Sequence, residues 1–349
     1  MKFVETPPSD WDERIAFPLQ SIGFAQAARA LGHHPLFAED QHGLALVLVR
    51  RVPVPVLRTW TARAKVYAAI RDVAFLHALV EGLRALGVSH VKLGDSTWGV
   101  SGAALDGWRP LRPLVYHVFL NDLRLPEDAL LARMNPKLRR HIRTAQQEVT
   151  VAEVRTANDL RDYLSLVEQT QVRMRFRDQA AVYPAGYFQA ILREMVPRRQ
   201  ALLLVARAGA APLAGGTFVT TSEQFVHVHG CSTRDRGLTP KQGPTAVFWH
   251  AMRMARAGGR TVFNMGAVTP SDDPSHPHYS VYTYKKQFGG QLVDVHCAEL
   301  VVSPWKYRFQ ESLLAPMWDR LHPVYLRFFG EDDADADRPL RPGHEMSTR

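Results

Sequence analysis

Cysteine is nearly absent. Cys231 and Cys297 are the only two in 349 residues, too few for a disulfide framework, and no CxxC pair suggests zinc or thiol redox chemistry. A reducing cytoplasm is therefore the expected compartment. Long apolar runs are missing too. No stretch approaches the roughly 18 to 20 residues that a membrane-spanning helix needs, and the opening "MKFVETPPSDWDERIAFP" has no apolar signal-peptide core. A soluble chain is expected. Acidic charge is in short supply: 43 Lys and Arg stand against 34 Asp and Glu, a formal net charge of +9 and a pI near 9.7. That balance favours anionic partners such as nucleic acid, nucleotides or phosphorylated head groups, and allows peripheral contact with an anionic membrane. Apolar residues are plentiful at 46%, enough to build one large domain or two ordinary ones.

Along the chain, "GLALVLVRRVPVPVLRTW" (43–60) reads as two strands around a proline turn, and "AIRDVAFLHALVEGLRALG" (69–87) as a helix ending at Gly87. "SHVKLGDS" and "PLVYHVFLNDL" return to strand. Residues 126–147 predict two helices joined near Asn135-Pro136, the second crowded with Lys137, Arg139, Arg140 and Arg143. The second half repeats this order. "TANDLRDYLSLVEQTQVRM" is a helix capped by Asn158 or Thr156, "YPAGYFQAILREMV" another, and "QALLLVARAGAAPLAGGTFVTTSEQFVHVHGCS" three strands. "PTAVFWHAMRMARAGG" is a helix, followed by strands at "RTVFNMG" and "GQLVDVHCAELVV". An α+β pattern thus occurs twice, with a boundary near residue 150. The tail from 331, acidic and then polar, is expected to be disordered.

In the second half, "QTQVRMRFRDQAAVYPAGYFQAIL", "LAGGTFV", "LTPKQGPTAVFWHAMRMARAGGRTVFNMGAV" and "YKKQFGG" follow one another in an order that resembles the Fem-type peptidoglycan-bridge aminoacyltransferases, a branch of the N-acetyltransferase-like (GNAT) superfamily. "FPLQSIGFAQAARALG" and "LRTWTARAKV" extend the resemblance into the first half, so that it spans roughly residues 11–300. It implies two tandem GNAT-like domains with mixed sheets flanked by helices, at 1–150 and 151–330. The helical-hairpin insertion of longer members has no counterpart, and the "TWTARAKV" turn lacks the family's glycine and proline.

The resemblance also implies an activity: transfer of an amino acid from aminoacyl-tRNA to an amine of a UDP- or lipid-linked muropeptide, by a monomer, without metal or resident cofactor. In "VYTYKKQFGG" an extended segment would place Lys285 and Gln287 on one face and Tyr284 and Lys286 on the other. The family register puts Lys285 at the reaction centre, with Tyr284 beside it. A fixed ammonium there can stabilise the carbonyl oxygen or the departing ribose oxygen, or hold a tRNA phosphate. No argument from the sequence lowers its pKa, so charge stabilisation is preferred to a role as base. Asp95, at a strand end, can take a proton from the attacking amine or bind it as a cation. Arg173 and Arg177 match the family pattern for phosphate binding, Arg175 does not, and Arg29 and Lys65 extend that anionic site from the first domain.

Basic residues Lys137, Arg140 and Lys241 are candidates for tRNA phosphates. The loop "STRDRGLTPKQGPTAVF" spaces Gly237 and Gly243 six apart, and Pro240 and Pro244 remove two donors. It is degenerate as a pyrophosphate cradle, which favours the tRNA donor over a coenzyme A thioester. His227, His229 and Cys231 would share one strand face, although an aromatic strand is usual there and no metal is expected. The charged loop 271–280, with Asp272, Asp273, His276 and His278, reads as solvated. The alternatives are an acyl-CoA-dependent N-acyltransferase and a non-enzymatic RNA-binding protein.

Overall fold

Ala45–Val49 is an unbroken buried run, the signature of a strand covered on both faces. In the computed structural model, which describes residues 1–51, 62–70, 73–100, 105, 111–175, 183–276, 278–310 and 312, it lies within a 12-stranded mixed sheet. The strands are β1 (Lys2–Val4), β2 (His34–Asp40), β3 (Gly43–Arg51), β4 (Ala62–Ala68), β5 (Val88–Leu93), β6 (Arg112–Asp122), β7 (Thr150–Glu153), β8 (Ala201–Ala208), β9 (Ala211–Thr220), β10 (Gln224–Ser232), β11 (Val262–Val268) and β12 (Gln291–Val301). The helices are α1 (Trp11–Arg14), α2 (Ile22–Arg29), α3 (Val73–Ala85), α4 (Glu127–Arg133), α5 (Pro136–Glu148), α6 (Ala157–Arg175), α7 (Ala185–Ala190), α8 (Gly243–Ala257), α9 (Tyr279–Lys286) and α10 (Pro304–Phe309). Arg177, the turn residues before Ala62 and the tail from 331 lie outside the described residues.

The sheet order is β1-β2-β3-β4-β5-β12-β6-β11-β10-β9-β8-β7. Strand β12 pairs antiparallel with β5 on one side, Ala298 opposite Leu93, and with β6 on the other, Gln291 opposite Leu120. Strand β6 in turn pairs with β11. Hydrogen bonding therefore runs unbroken from one half of the chain to the other.

Three apolar clusters cover the sheet. One buries α3, through Leu76, Leu79, Val80 and Leu83, against β3, β4 and β5. A second joins the halves: Phe24 and Ala28 of α2 meet Tyr163, Leu166 and Phe188 from α6 and α7. The third packs α5 and α8 over the second half, with Leu138 and Ile142 sharing a core with Phe218, Phe248 and Phe263.

Local signals explain the helices that frame the site. Asp159 N donates to Thr156 Oγ1 at 3.1 Å and Thr156 N returns a bond to Asp159 Oδ2 at 2.9 Å, a reciprocal cap that starts α6. Asn135 Oδ1 accepts from Lys137 N at 2.9 Å, and Pro136 opens α5. One expectation is corrected: the segment before "FGG" is helical, not extended. Its aromatic and β-branched residues favour strand locally, but Tyr282, Lys285 and Phe288 recur at helical spacing, and all three are buried. Burial of that stripe outweighs propensity.

Candidate functional site

A cavity of about 500 Å³ opens between the halves, with Lys65, Lys92 and Asp95 on one wall and Tyr183, His229 and Lys285 on the other.

Lys285 is only 7% exposed. Its Nζ donates to the carbonyl oxygens of Gly266 at 3.3 Å and Ala267 at 3.0 Å, and burial brings its pKa down to about 7. The backbone makes this seat. The parallel pairing of β10 with β11 covers only Gln224–Val226 against Val262–Asn264, and β11 then shifts register against β6 between Asn264 and Ala267. Within the bulge, Gly266 has φ +73°, and a Cβ there would lie 2.4 Å from His227 O. Only glycine fits this position. A neutral lysine amine has two N–H bonds, one for each carbonyl, and keeps its lone pair for a proton; the ammonium has a third N–H to donate.

Asp95 sits in the turn after β5. Its Oδ2 accepts from Lys65 Nζ at 3.1 Å and its Oδ1 from Thr97 N at 2.8 Å and from the Thr97 hydroxyl. Burial pushes its pKa up, but Lys65 and the Thr97 bonds outweigh burial and hold it below the ordinary value. Burial disfavours the Lys65 ammonium as well, yet Asp95 outweighs it and Lys65 is raised. Lys65 Nζ also stands 4.6 Å from the Tyr67 ring centroid. Lys92 has the opposite outcome: burial first, and the Lys65 charge second, lower its pKa. Its Nζ donates to the Tyr116 hydroxyl, and burial raises that phenol.

The other candidates are placed variously. Arg173, near the end of α6, donates from Nη2 to Ser232 Oγ at 3.1 Å and Thr170 Oγ1 at 3.4 Å; Thr170 rather than Arg173 lines the cavity. Arg29 is exposed at the end of α2 and off the cavity wall. Tyr284 packs into the core between Phe248 and Phe288, its ring edge-on to both, and not on the cavity wall. It lies 100° round α9 from Lys285. Lys137 and Arg140 are exposed on α5, and Lys241 is held by Glu148 at 2.9 Å.

The histidine strand differs from expectation. A bulge in β10 between His227 and His229 turns His227 towards Phe218 and Phe248, and His229 towards Tyr183 and Phe188. The extra residue breaks the two-residue alternation that would have put them on one face. Burial holds both imidazoles neutral, His229 at about 4 and His227 well below its ordinary value. Among the described residues no group of three His, Cys, Asp or Glu could hold a metal ion. Asp272 and Asp273 are exposed in their loop.

Lys92, Tyr116 and Tyr183 belong to the cavity and were not singled out in the sequence. The one signal for Lys92 was a cation two residues before Gly94-Asp95, alternating with Val91 and Leu93. No helix among the described residues is long and apolar enough to cross a membrane.

Residues 132–286 match the family model described as an acetyltransferase (GNAT) domain. Solved structures similar to this chain include FemX, at 14% identity and a TM-score of 0.68, covering 88% of this chain and 99% of that one. The C-terminal domain of a putative lysylphosphatidylglycerol synthetase from Agrobacterium fabrum is similar at 17% identity and a TM-score of 0.55, over 86% of this chain and 92% of that one. L-PGS from Bacillus licheniformis follows at 13% identity and 0.53, over 78% and 86%. A search of curated protein sequences finds no match. Residues 132–286 therefore match a GNAT domain set within a larger α+β sheet, and the chain as a whole shares the fold of FemX.

Proposed function

We propose that the protein is an acyltransferase that forms a peptide bond, moving an amino acid from aminoacyl-tRNA to an amine of a peptidoglycan precursor, a UDP- or lipid-linked muropeptide. The observation that carries this reading is the buried Lys285 amine, held by two backbone carbonyls on the wall of a cavity whose opposite wall is basic.

The acceptor enters as an ammonium and loses one proton to solvent. Its nitrogen attacks the ester carbonyl, the N–C bond forms, and the remaining surplus proton passes to neutral Lys285. As the C–O bond to the ribose breaks, Lys285 returns that proton to the departing oxygen. A pKa near 7 suits both halves of this exchange. Here the sequence-based preference for a permanently charged lysine gives way, because burial supplies the lowering that the sequence did not disclose. Asp95, kept ionised by Lys65 and Thr97, suits the binding of a cationic amine better than proton abstraction. Lys65 and Lys92, with Arg173 behind Thr170, suit the anionic groups of the muropeptide.

For the donor, Gly243 is accounted for by packing: a Cβ there would lie 2.6 Å from Leu213 Cβ. Its presence therefore needs no pyrophosphate to explain it, and Pro244 in the first turn of α8 removes one donor. This supports an RNA-borne donor over a coenzyme A thioester. One similar structure is named a lysylphosphatidylglycerol synthetase, a name that joins an amino acid to a lipid.

The test is incubation with mixed charged tRNAs and UDP-linked muropeptide, and in parallel with acyl-CoA thioesters, reading added mass by mass spectrometry. An amino-acid adduct that requires charged tRNA is expected. An adduct formed only from acyl-CoA would overturn the donor assignment.

A further inference from the structure

Helix α9 sends its two lysines to different places. Lys285 lines the inter-half cavity. Lys286 lines a second, shallower pocket of about 470 Å³ with Arg133, Asn135, Lys137, Thr283 and Gln287. Three of these six side chains are cations and none is a carboxylate. Among the described residues no ion pair joins Arg133, Lys137 or Lys286 to an acid. Asp122, whose charge is felt by Arg133, is itself bound by Arg124 at 2.8 and 3.0 Å.

The pocket is built from three elements rather than left by a loose surface. Asn135 N donates to Gln287 O at 2.9 Å, tying the start of α5 to the end of α9. Gly289, at φ +71°, lets the chain leaving α9 pass against α4; a Cβ there would lie 2.3 Å from Arg133 O. Lys286 Nζ stands 5.4 Å from the Tyr282 ring centroid. The N-terminus of the 13-residue helix α5 adds its positive end. From the pocket, exposed Arg140 and Arg143 continue the positive surface along α5, about 4.5 and about 9 Å beyond Lys137 along the helix axis.

A fork-shaped guanidinium and two ammonium groups around a concave site are matched to phosphate oxygens. The nearby surface argues against a lipid bilayer as the source of those phosphates. Leu138, Ile142 and Ala145, the apolar residues of α5, are all buried beneath it, so this helix has no apolar side to insert among acyl chains. We infer that the pocket and the α5 strip seat the sugar–phosphate backbone of an RNA strand, the donor's RNA in the reading above, on which this inference rests. No base-reading arrangement accompanies the cations, so recognition is of backbone rather than sequence.

The experiment is fluorescence anisotropy of the full chain with a labelled RNA hairpin carrying a single-stranded 3′ end, titrated across salt concentrations. It compares wild type with Lys286→Glu and Arg133→Glu, with flotation on phosphatidylglycerol vesicles in parallel. Each reversal is expected to weaken RNA binding by roughly tenfold and to lower the slope of log affinity against log salt by about 0.7 to 0.9. Thermal unfolding should stay unchanged. Wild-type affinity and slope in both variants, no RNA binding by the wild type, or a loss confined to vesicles would overturn the proposal. Turnover separates it from the assigned reaction. If transfer needs charged tRNA but the variants bind RNA normally, the pocket assignment falls and the reaction stands. If the variants lose RNA but the wild type uses only acyl-CoA, RNA docking stands and the donor assignment falls.

Discussion

Lys65 and Lys92 stand opposite one another in the parallel register of β4 and β5, and Asp95 pairs with Lys65, 3.1 Å from its Nζ. Burial disfavours both ammonium groups, but the Asp95 contact outweighs it only at Lys65, whose charge in turn adds to the lowering of Lys92, so the two lysines shift in opposite directions. Asp95→Asn removes the charge that makes this tolerable. It is expected to cost about 3 kcal/mol of stability at neutral pH, the low end for a broken buried pair, read by urea denaturation. Because the Asp95 pKa is depressed, its stabilisation is present above the ordinary carboxylate value of 3.8 and is lost as pH falls through the lower folded value. The difference between wild type and variant should therefore shrink in acid.

Lys285 has the opposite sign. Its folded pKa of about 7 lies below the ordinary 10.5, so between those values the unfolded chain holds more protons and stability rises with pH. Lys285→Met removes this penalty but leaves the Gly266 and Ala267 carbonyls without their donor, so its stability relative to wild type should be highest below pH 7 and fall by something on the order of 5 kcal/mol by about pH 10.5. The variant should nonetheless lose turnover. In the wild type, kcat/KM should rise as pH passes upward through about 7; a fall through the same range would mean that the ammonium, not the amine, is the active form.

Gly266 and Gly209 make a matched pair of tests. Both have positive φ, but a Cβ at Gly266 meets His227 O at 2.4 Å, whereas at Gly209 nothing lies within 4 Å. Gly209→Ala should cost about 1 to 2 kcal/mol, from backbone strain alone, and leave turnover unchanged. Gly266→Ala should cost more and abolish turnover, since it displaces a carbonyl that holds Lys285. Thermal unfolding and steady-state rates check both.

Tyr284→Phe should retain wild-type turnover and fold, because the ring lies in the core between Phe248 and Phe288. A large drop in kcat without a drop in melting temperature would return Tyr284 to the reaction centre.

Much of the helical framework was legible from short-range signals. Helix α6 announced itself through Leu160, Tyr163 and Val167 and the Thr156 cap, and α8 through its apolar spacing and terminal glycines. Asp95 could be named from its place at a strand end, and Lys285 and Lys65 from the family resemblance, and all three line one cavity. What the sequence hid depends on distant contacts. The helical state of α9 rests on burial of Tyr282, Lys285 and Phe288 against partners far along the chain. The separation of His227 from His229 rests on one bulged residue that no pattern marks. Lys92 gains meaning only when β4 is laid beside β5. The second basic pocket assembles Arg133, Lys137 and Lys286 from positions about 150 residues apart in the sequence.

The place of β12 in the sheet has a consequence for the nascent chain. Strand β5 ends at Leu93 and has β4 along one edge, but the strand that pairs with its other edge begins at Gln291. While residues 94–290 are being made on the ribosome, β5 presents an unpaired strand edge, the feature most prone to intermolecular pairing. The first half can finish folding only when the chain is nearly complete. Such late closure predicts slow maturation governed by long-range contacts, and a need for chaperone protection of that edge during synthesis.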